Sequence, residues 1–287
     1  MPKTIKRALL GAPSILLILL GSAGMQAAEE QYYLIPGDGV SNRVKDVVRE
    51  IAGKCISFFC ESMNMRVDRT IKIYVYRGEM AYKQGLLDIL HLDPREAASV
   101  ASNSAACASG INILINGQTI KIVTPEVWQV TVICHELAHI FQHLCSTDQR
   151  TWHAWIVEGH ARLMAALAVE KIGLKPFAEF SQECRGDFAG GAPYPPLADL
   201  VTGDQITSAF DKYAYDLMNS YLFFAVDVLL SETSHPAFAR YFRATGPDDA
   251  EAPTSREENF RLAFGFGVED YQRDLDRRLK EISAQRK

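Results

Sequence analysis

Five consecutive residues, His135-Glu136-Leu137-Ala138-His139, combine two imidazoles and a carboxylate at a spacing that a helix turns into one face. With 3.6 residues per turn, positions four apart stack one above the other, so both rings can reach a single metal ion. The carboxylate between them then lies close to any water such an ion holds, an arrangement suited to metal-assisted hydrolysis. A third protein ligand is needed. Glu158, in Trp155-Ile156-Val157-Glu158-Gly159-His160 and separated from His139 by 18 residues, meets that need best, because a carboxylate following a helical hairpin can face the paired imidazoles. His153 and His160 stand as alternative third ligands. His143 continues the histidine stripe, but on a straight helix it lies about 12 Å from His135, too far to share one ion bound at about 2 Å. In the pattern H-E-x-x-H-x-x-G-x-x-H the last two marked positions would be Gln142 and Cys145, so that ligand set is excluded.

The elements that must position these residues follow from periodicity and punctuation. Thr124-Pro125-Glu126 is a well-formed helix start, with a cap, a proline at the first helical position and an acid in the first turn. The helix it opens is expected to run from Pro125 to about Leu144, with the pentad in its second half. A second helix is expected over Ala154 to Ile172, before Gly173 and Pro176. Upstream, residues 42–62 show helical spacing with Ser41 or Asn42 as cap, and Glu79 to Leu90 reads as a helix. Ile71 to Tyr76 and Ile111 to Asn116 alternate as strands. Ile111 to Asn116 is the candidate edge strand for an extended peptide, with Ile120 to Val123 as a short partner strand. Ala97 to Gly110 is a segment of small residues. Gly186 to Pro196 is a loop and the expected boundary between sub-structures. Beyond it, helices are expected over Asp204 to about Leu230, Pro236 to Ala244, and Arg256 to the end. The fold class is α+β, with an α/β half over residues 29–150 and a mainly helical half over 151–287.

The chain has 287 residues and 48% hydrophobic composition, enough for a sizeable core. Its first 28 residues carry Lys3, Lys6 and Arg7, then the apolar run Ala8 to Leu20, then a small-residue stretch ending at Ala28. This is the layout of a secretory signal peptide, and the apolar run is shorter than the roughly 20 residues of a spanning helix. The mature protein is therefore expected to be exported, periplasmic or secreted, without stable membrane insertion. Cleavage removes three positive and no negative charges, taking the formal charge from −5 to −8. Such an acidic charge argues against nucleic acid as a partner. All six cysteines lie in the mature part, and an even count in an exported chain favours disulfides. Cys55 with Cys60 (about 8–9 Å apart on one helix) and Cys134 with Cys145 (about 16 Å) are beyond bridging reach. The sequence does not choose among the other pairings.

The pentad, the 18-residue gap and the Trp155-x-x-Glu158-Gly159-x-Ala161 stretch together resemble the gluzincin metallopeptidases, nearest to bacterial peptidase-MA-like domains and more distantly to the aminopeptidase N group. Leu197 to Tyr215 resembles the family's run into a tyrosine-bearing helix, and Ala263-Phe264-Gly265 to Tyr271 its closing segment. The usual hydrophobic residue after Glu-Gly is His160 here. The resemblance implies a zincin-like core with a small mixed sheet. It implies one zinc ion on His135, His139 and Glu158, Glu136 as general base, and a peptide or protein substrate. It also implies a tyrosine as oxyanion donor: Tyr215 matches best, with Tyr213 and Tyr221 as rivals. No G-x-M-E-N motif occurs between Ser102 and Asn116, which argues against amine-anchored exopeptidase action and for an endopeptidase. A second reading keeps the fold but not the chemistry, as a zinc-stabilised binding protein. Such a site would tend to be closed by a fourth ligand from His153, His160 or Cys134.

Overall fold

The computed structural model describes residues 31–122, 126–146, 149–188, 191, 193–243 and 255–284. The leader read at residues 1–28 and the Thr124-Pro125 helix start lie outside them. The fold is a mixed α+β arrangement, mostly helical, around a sheet of four strands.

The strands are β1 (Tyr32–Pro36), β2 (Ile71–Tyr76), β3 (Ala106–Ser109) and β4 (Asn112–Asn116), in the spatial order β1-β2-β4-β3. The first three in that order run parallel and β3 is antiparallel to β4. Parallel neighbours need crossovers, and α1 (Asn42–Ser62) supplies the first, with the Ser41 side chain accepting from the Val44 N–H at its start. The second carries α2 (Glu79–Ile89) and α3 (Pro94–Asn103). Strand alternation divides the side chains between two cores. Ile71, Ile73 and Val75 of β2 and Ile113 and Ile115 of β4 enter the main core. Leu114 points to the other face, into a small cluster with Tyr82 and Leu86 of α2 and Ala97 and Ala101 of α3.

Several expectations are corrected here. Ile111 to Asn116 is not an edge: β4 lies between β2 and β3, and the edges of the sheet are β1 and β3. The small-residue segment 97–110 lacks periodicity yet holds most of α3 and all of β3. The short partner strand expected at Ile120 is instead part of α4 (Gly117–Ile122), and Val123 lies outside the described residues. The Asn116 side chain decides this, because its Oδ1 accepts from the N–H groups of Gln118 (3.2 Å) and Thr119 (3.5 Å) and so starts a helical turn.

Next come α5 (Glu126–Cys145) with the pentad, α6 (Ala154–Lys171) with Glu158, and α7 (Phe177–Asp187). The expected helix from Asp204 to Leu230 is two, α8 (Gly203–Lys212) and α9 (Tyr215–Glu232), separated by extended backbone at Tyr213 and Ala214. After α10 (His235–Arg243), the expected last helix is also two, α11 (Arg256–Phe264) and α12 (Val268–Ala284). Gly265 ends α11 in the left-handed region at φ 90°, where a Cβ is unfavourable. One continuous core contains α1, the inner sheet face, α5, α6, α9 and the aromatic residues of α10 to α12. Among the described residues, no helix is long and apolar enough to cross a membrane.

Candidate metal centre

Helices α5 and α6 pack closely along each other, and each is fixed to the rest of the fold by contacts of its own. A disulfide between Cys55 and Cys134 ties α5 to α1 one residue before His135. The bridge is one of the pairings the sequence left open; Cys60, Cys107, Cys145 and Cys184 are unbridged. At the start of α6, the N–H groups of Ala154 and Trp155 donate to the carbonyls of Val201 (3.0 Å) and Leu200 (3.1 Å), satisfying donors that a helix start leaves open. Trp155 is fully buried and stacks on Tyr271 with centroids 5.8 Å apart. Gly159 completes the placement. A Cβ there would collide with the backbone carbonyl of Leu222, so glycine lets α6 approach α9 and sets the rotation of Glu158.

The result brings His135, His139 and Glu158 together as a group that could hold a metal ion. The two histidine Nε2 atoms are 3.1 Å apart, and the Glu158 oxygens lie 3.6 Å from each. Ligands at three corners of a tetrahedron, each about 2.0–2.1 Å from an ion, are separated by about 3.3–3.4 Å, so the donor set fits. Gln142 fixes one tautomer. Its Nε2 donates to the carbonyl of Val157 (2.9 Å), a pure acceptor, so its Oε1 faces the Nδ1–H of His139 (2.9 Å). His139 therefore turns an unprotonated Nε2 toward the cluster, the way an outlying partner orients a ligand histidine. The same Gln142 amide donates to Nδ1 of His160 (3.2 Å).

Electrostatics agree with the geometry. Burial pushes His135 down to about 4, against the pull of Glu158. Burial opposes the charge on Glu158, but His139, His135 and Arg162 together hold its carboxyl below the ordinary range. Burial raises Glu136 to about 7, with His139, the Ala108 backbone and Arg162 pulling the other way.

A cavity of about 510 Å³ opens beside the cluster. His135 and Glu136 line it from α5, Arg162 from α6 and Tyr215 from the first turn of α9, while Ser104 and Ala105 bring it to the start of β3. Of the three candidate tyrosines, Tyr215 lines this cavity. Tyr221 is buried against Tyr194, and Tyr213 borders a separate surface recess. His153 and His160 lie outside the ligand group. His153 bonds Tyr241, and His160 packs against Phe238 and Phe242. Cys134 is in the disulfide, and His143 bonds Gln149. The sequence reading missed Arg162 and Gln142 as site residues. Each falls one turn from a ligand, at i+4 from Glu158 and i+3 from His139, so a face-by-face reading of the two helices would have reached both.

No protein-family profile, no curated protein and no solved structure matches the chain.

Proposed function

We propose that the protein is an exported zinc-dependent peptidase of the gluzincin kind, hydrolysing peptide bonds with Glu136 as general base. One observation carries this reading. The ligand atoms of His135, His139 and Glu158 sit at near-tetrahedral spacing beside a cavity lined by Glu136, and no fourth His, Cys, Asp or Glu joins them among the described residues. A purely structural zinc site tends to be closed by a fourth side chain and has no use for a carboxylate beside its opening. Two imidazoles and a carboxylate suit zinc among the common biological ions.

When bound, zinc supplies Lewis acidity that acidifies water and polarises a carbonyl. The remaining work falls to the chain. Glu136 takes a proton at its carboxylate during attack and returns it to the leaving amine. Tyr215, at the cavity wall, donates its hydroxyl toward the carbonyl oxygen as negative charge develops there. The free edge of β3, which leads out of the cavity-lining residues Ser104 and Ala105, offers backbone groups to an extended substrate.

The test uses zinc-loaded mature protein and a broad peptide library. Glu136→Gln should retain stoichiometric zinc and lose about 10²–10⁴-fold in kcat/KM. A wild type as inert as this variant, with zinc bound in both, defeats the peptidase reading in favour of a zinc-stabilised binding protein.

A further inference from the structure

Two residues that line the cavity each carry a buried polar atom without a partner. The Nε of Arg162 is buried and makes no hydrogen bond, and among the described residues its guanidinium has no ion pair. Its guanidinium carbon lies 5.9 Å from the ring of Phe210, which in turn lies 5.3 Å from the ring of Tyr215, and its charge also acts on Glu158 and Glu136. The Oδ1 of Asn219, on the next turn of α9 after Tyr215, is likewise buried and unpartnered. Both residues line the cavity that holds His135 and Glu136. Leaving a buried donor and a buried acceptor unmade costs stability, and such atoms in a native site call for a ligand that completes them.

The pair specifies the chemistry of that ligand. A guanidinium is a planar fork matched to a carboxylate, and an amide oxygen accepts from an N–H. Charge points the same way. With a divalent cation on the ligands and Glu136 and Glu158 ionised, Arg162 leaves the cavity one positive charge in excess. The walls between are aromatic, with Trp128, Phe180 and Phe223, which suits an apolar side chain.

We infer that Arg162 and Asn219 form a specificity subsite that takes a substrate carboxylate and a neighbouring peptide N–H beside the scissile bond. The inference rests on the peptidase reading and narrows its substrates to peptides with an acidic group close to the cut. That group is either the α-carboxylate of a chain terminus or an Asp or Glu side chain. Arg162 holds the substrate in place, and the bond-making groups remain those already named.

The experiment measures equilibrium binding to the zinc-loaded mature chain, which needs no turnover. The probes are N-acetyl-phenylalanine, its amide, and N-acetyl-glutamic acid α-amide. At least one carboxylate probe should bind wild type about tenfold or more tighter than the uncharged amide, as a charge-assisted hydrogen bond implies. Arg162→Gln should abolish that ratio and Arg162→Lys restore part of it. Tighter binding of N-acetyl-phenylalanine assigns a terminal carboxylate, and tighter binding of the glutamic acid α-amide assigns a side chain. In hydrolysis, the ratio of kcat/KM for acidic over amidated peptides should collapse in Arg162→Gln, mainly through KM. Equal binding of acids and amide to wild type overturns the subsite even if capped peptides are cleaved. Acid-selective binding that depends on Arg162, with no peptide cleaved, overturns the peptidase reading and leaves the carboxylate site standing.

Discussion

Helix α6 has a histidine cluster at each end of its first turns, and the two are built on opposite terms. At the cap, His153 is sealed: it is 1% exposed, its backbone N–H and its Nδ1 both meet the Tyr241 hydroxyl (2.6 and 3.0 Å), and Glu257 lies 3.7 Å from its Nε2. The backbone N–H can only donate, so the Tyr241 oxygen accepts it while its hydroxyl donates to Nδ1. Five residues on, Glu158 faces His135 and His139 at 3.6 Å from each, with all three side chains partly exposed. Both clusters are buried polar constellations joining distant parts of the chain. In the first the atoms complete one another; in the second the lone pairs converge on a point where no protein atom sits. That difference separates a histidine that holds the fold from a histidine available for chemistry.

The sharpest way to break the comparison is to remove one member of each cluster and measure zinc. Glu158→Ala should lower zinc affinity by well over the roughly 10–100-fold that outlying partners command. His153→Ala and His160→Ala should leave it within a few-fold, in competition against a chelating dye. Comparable losses in all three would mean that the convergent cluster is not the metal site.

Next in size is the disulfide that anchors only the open cluster. Cys55–Cys134 closes a 79-residue separation, so replacing both with serine should cost about 4 kcal/mol of stability through the unfolded chain. Urea midpoints on the oxidised wild type and the double variant measure it. A shift below about 1 kcal/mol would show that helix packing alone fixes α5 against α1.

The sealed cluster makes its own prediction, in pH. Burial holds His153 down at about 4, with Arg256 adding to the effect, against about 6.5 in an unfolded chain. As pH falls, the unfolded state takes up this proton first, so its contribution is whole above about pH 6.5 and is lost progressively toward pH 4. At 1.36 kcal/mol per unit the loss is on the order of 3 kcal/mol. His153→Gln should flatten the fall in unfolding free energy between about pH 7 and about pH 4.5 by that amount. An unchanged slope would show that Glu257, the nearest carboxylate, already supports the protonated ring.

Much of the open cluster was legible because its parts are local in sequence. His135, Glu136 and His139 share one turn, and Glu158 follows on the next long helix, so helical geometry alone nearly assembles them. The Trp155-x-x-Glu158-Gly159 pattern acquires physical meaning only in the fold, where Trp155 anchors the helix start and Gly159 admits the Leu222 carbonyl. The cavity walls were not legible, since Trp128, Phe180, Asn219 and Phe223 meet only through packing of α5, α7 and α9. The misread edge has a similar origin. Small side chains over 97–110 carry no hydrophobic period, so β3, which takes the edge from β4, left no trace in the pattern.

The smallest effect tests the residue that belongs to both kinds of cluster. Gln142 orients His139 like a partner of a working ligand, yet it also braces the Val157 carbonyl and His160 like a member of a sealed network. Two substitutions divide these roles. Gln142→Leu removes the acceptor for the Nδ1–H of His139 and should weaken zinc binding about 10–100-fold. Gln142→Glu keeps an acceptor there while losing both donors, so it should hold most of the zinc affinity and give up stability instead, because the Val157 carbonyl and His160 then lack a donor. If Gln142→Leu shifts zinc affinity less than about threefold, packing alone orients His139, and Gln142 joins His153 on the structural side of the divide.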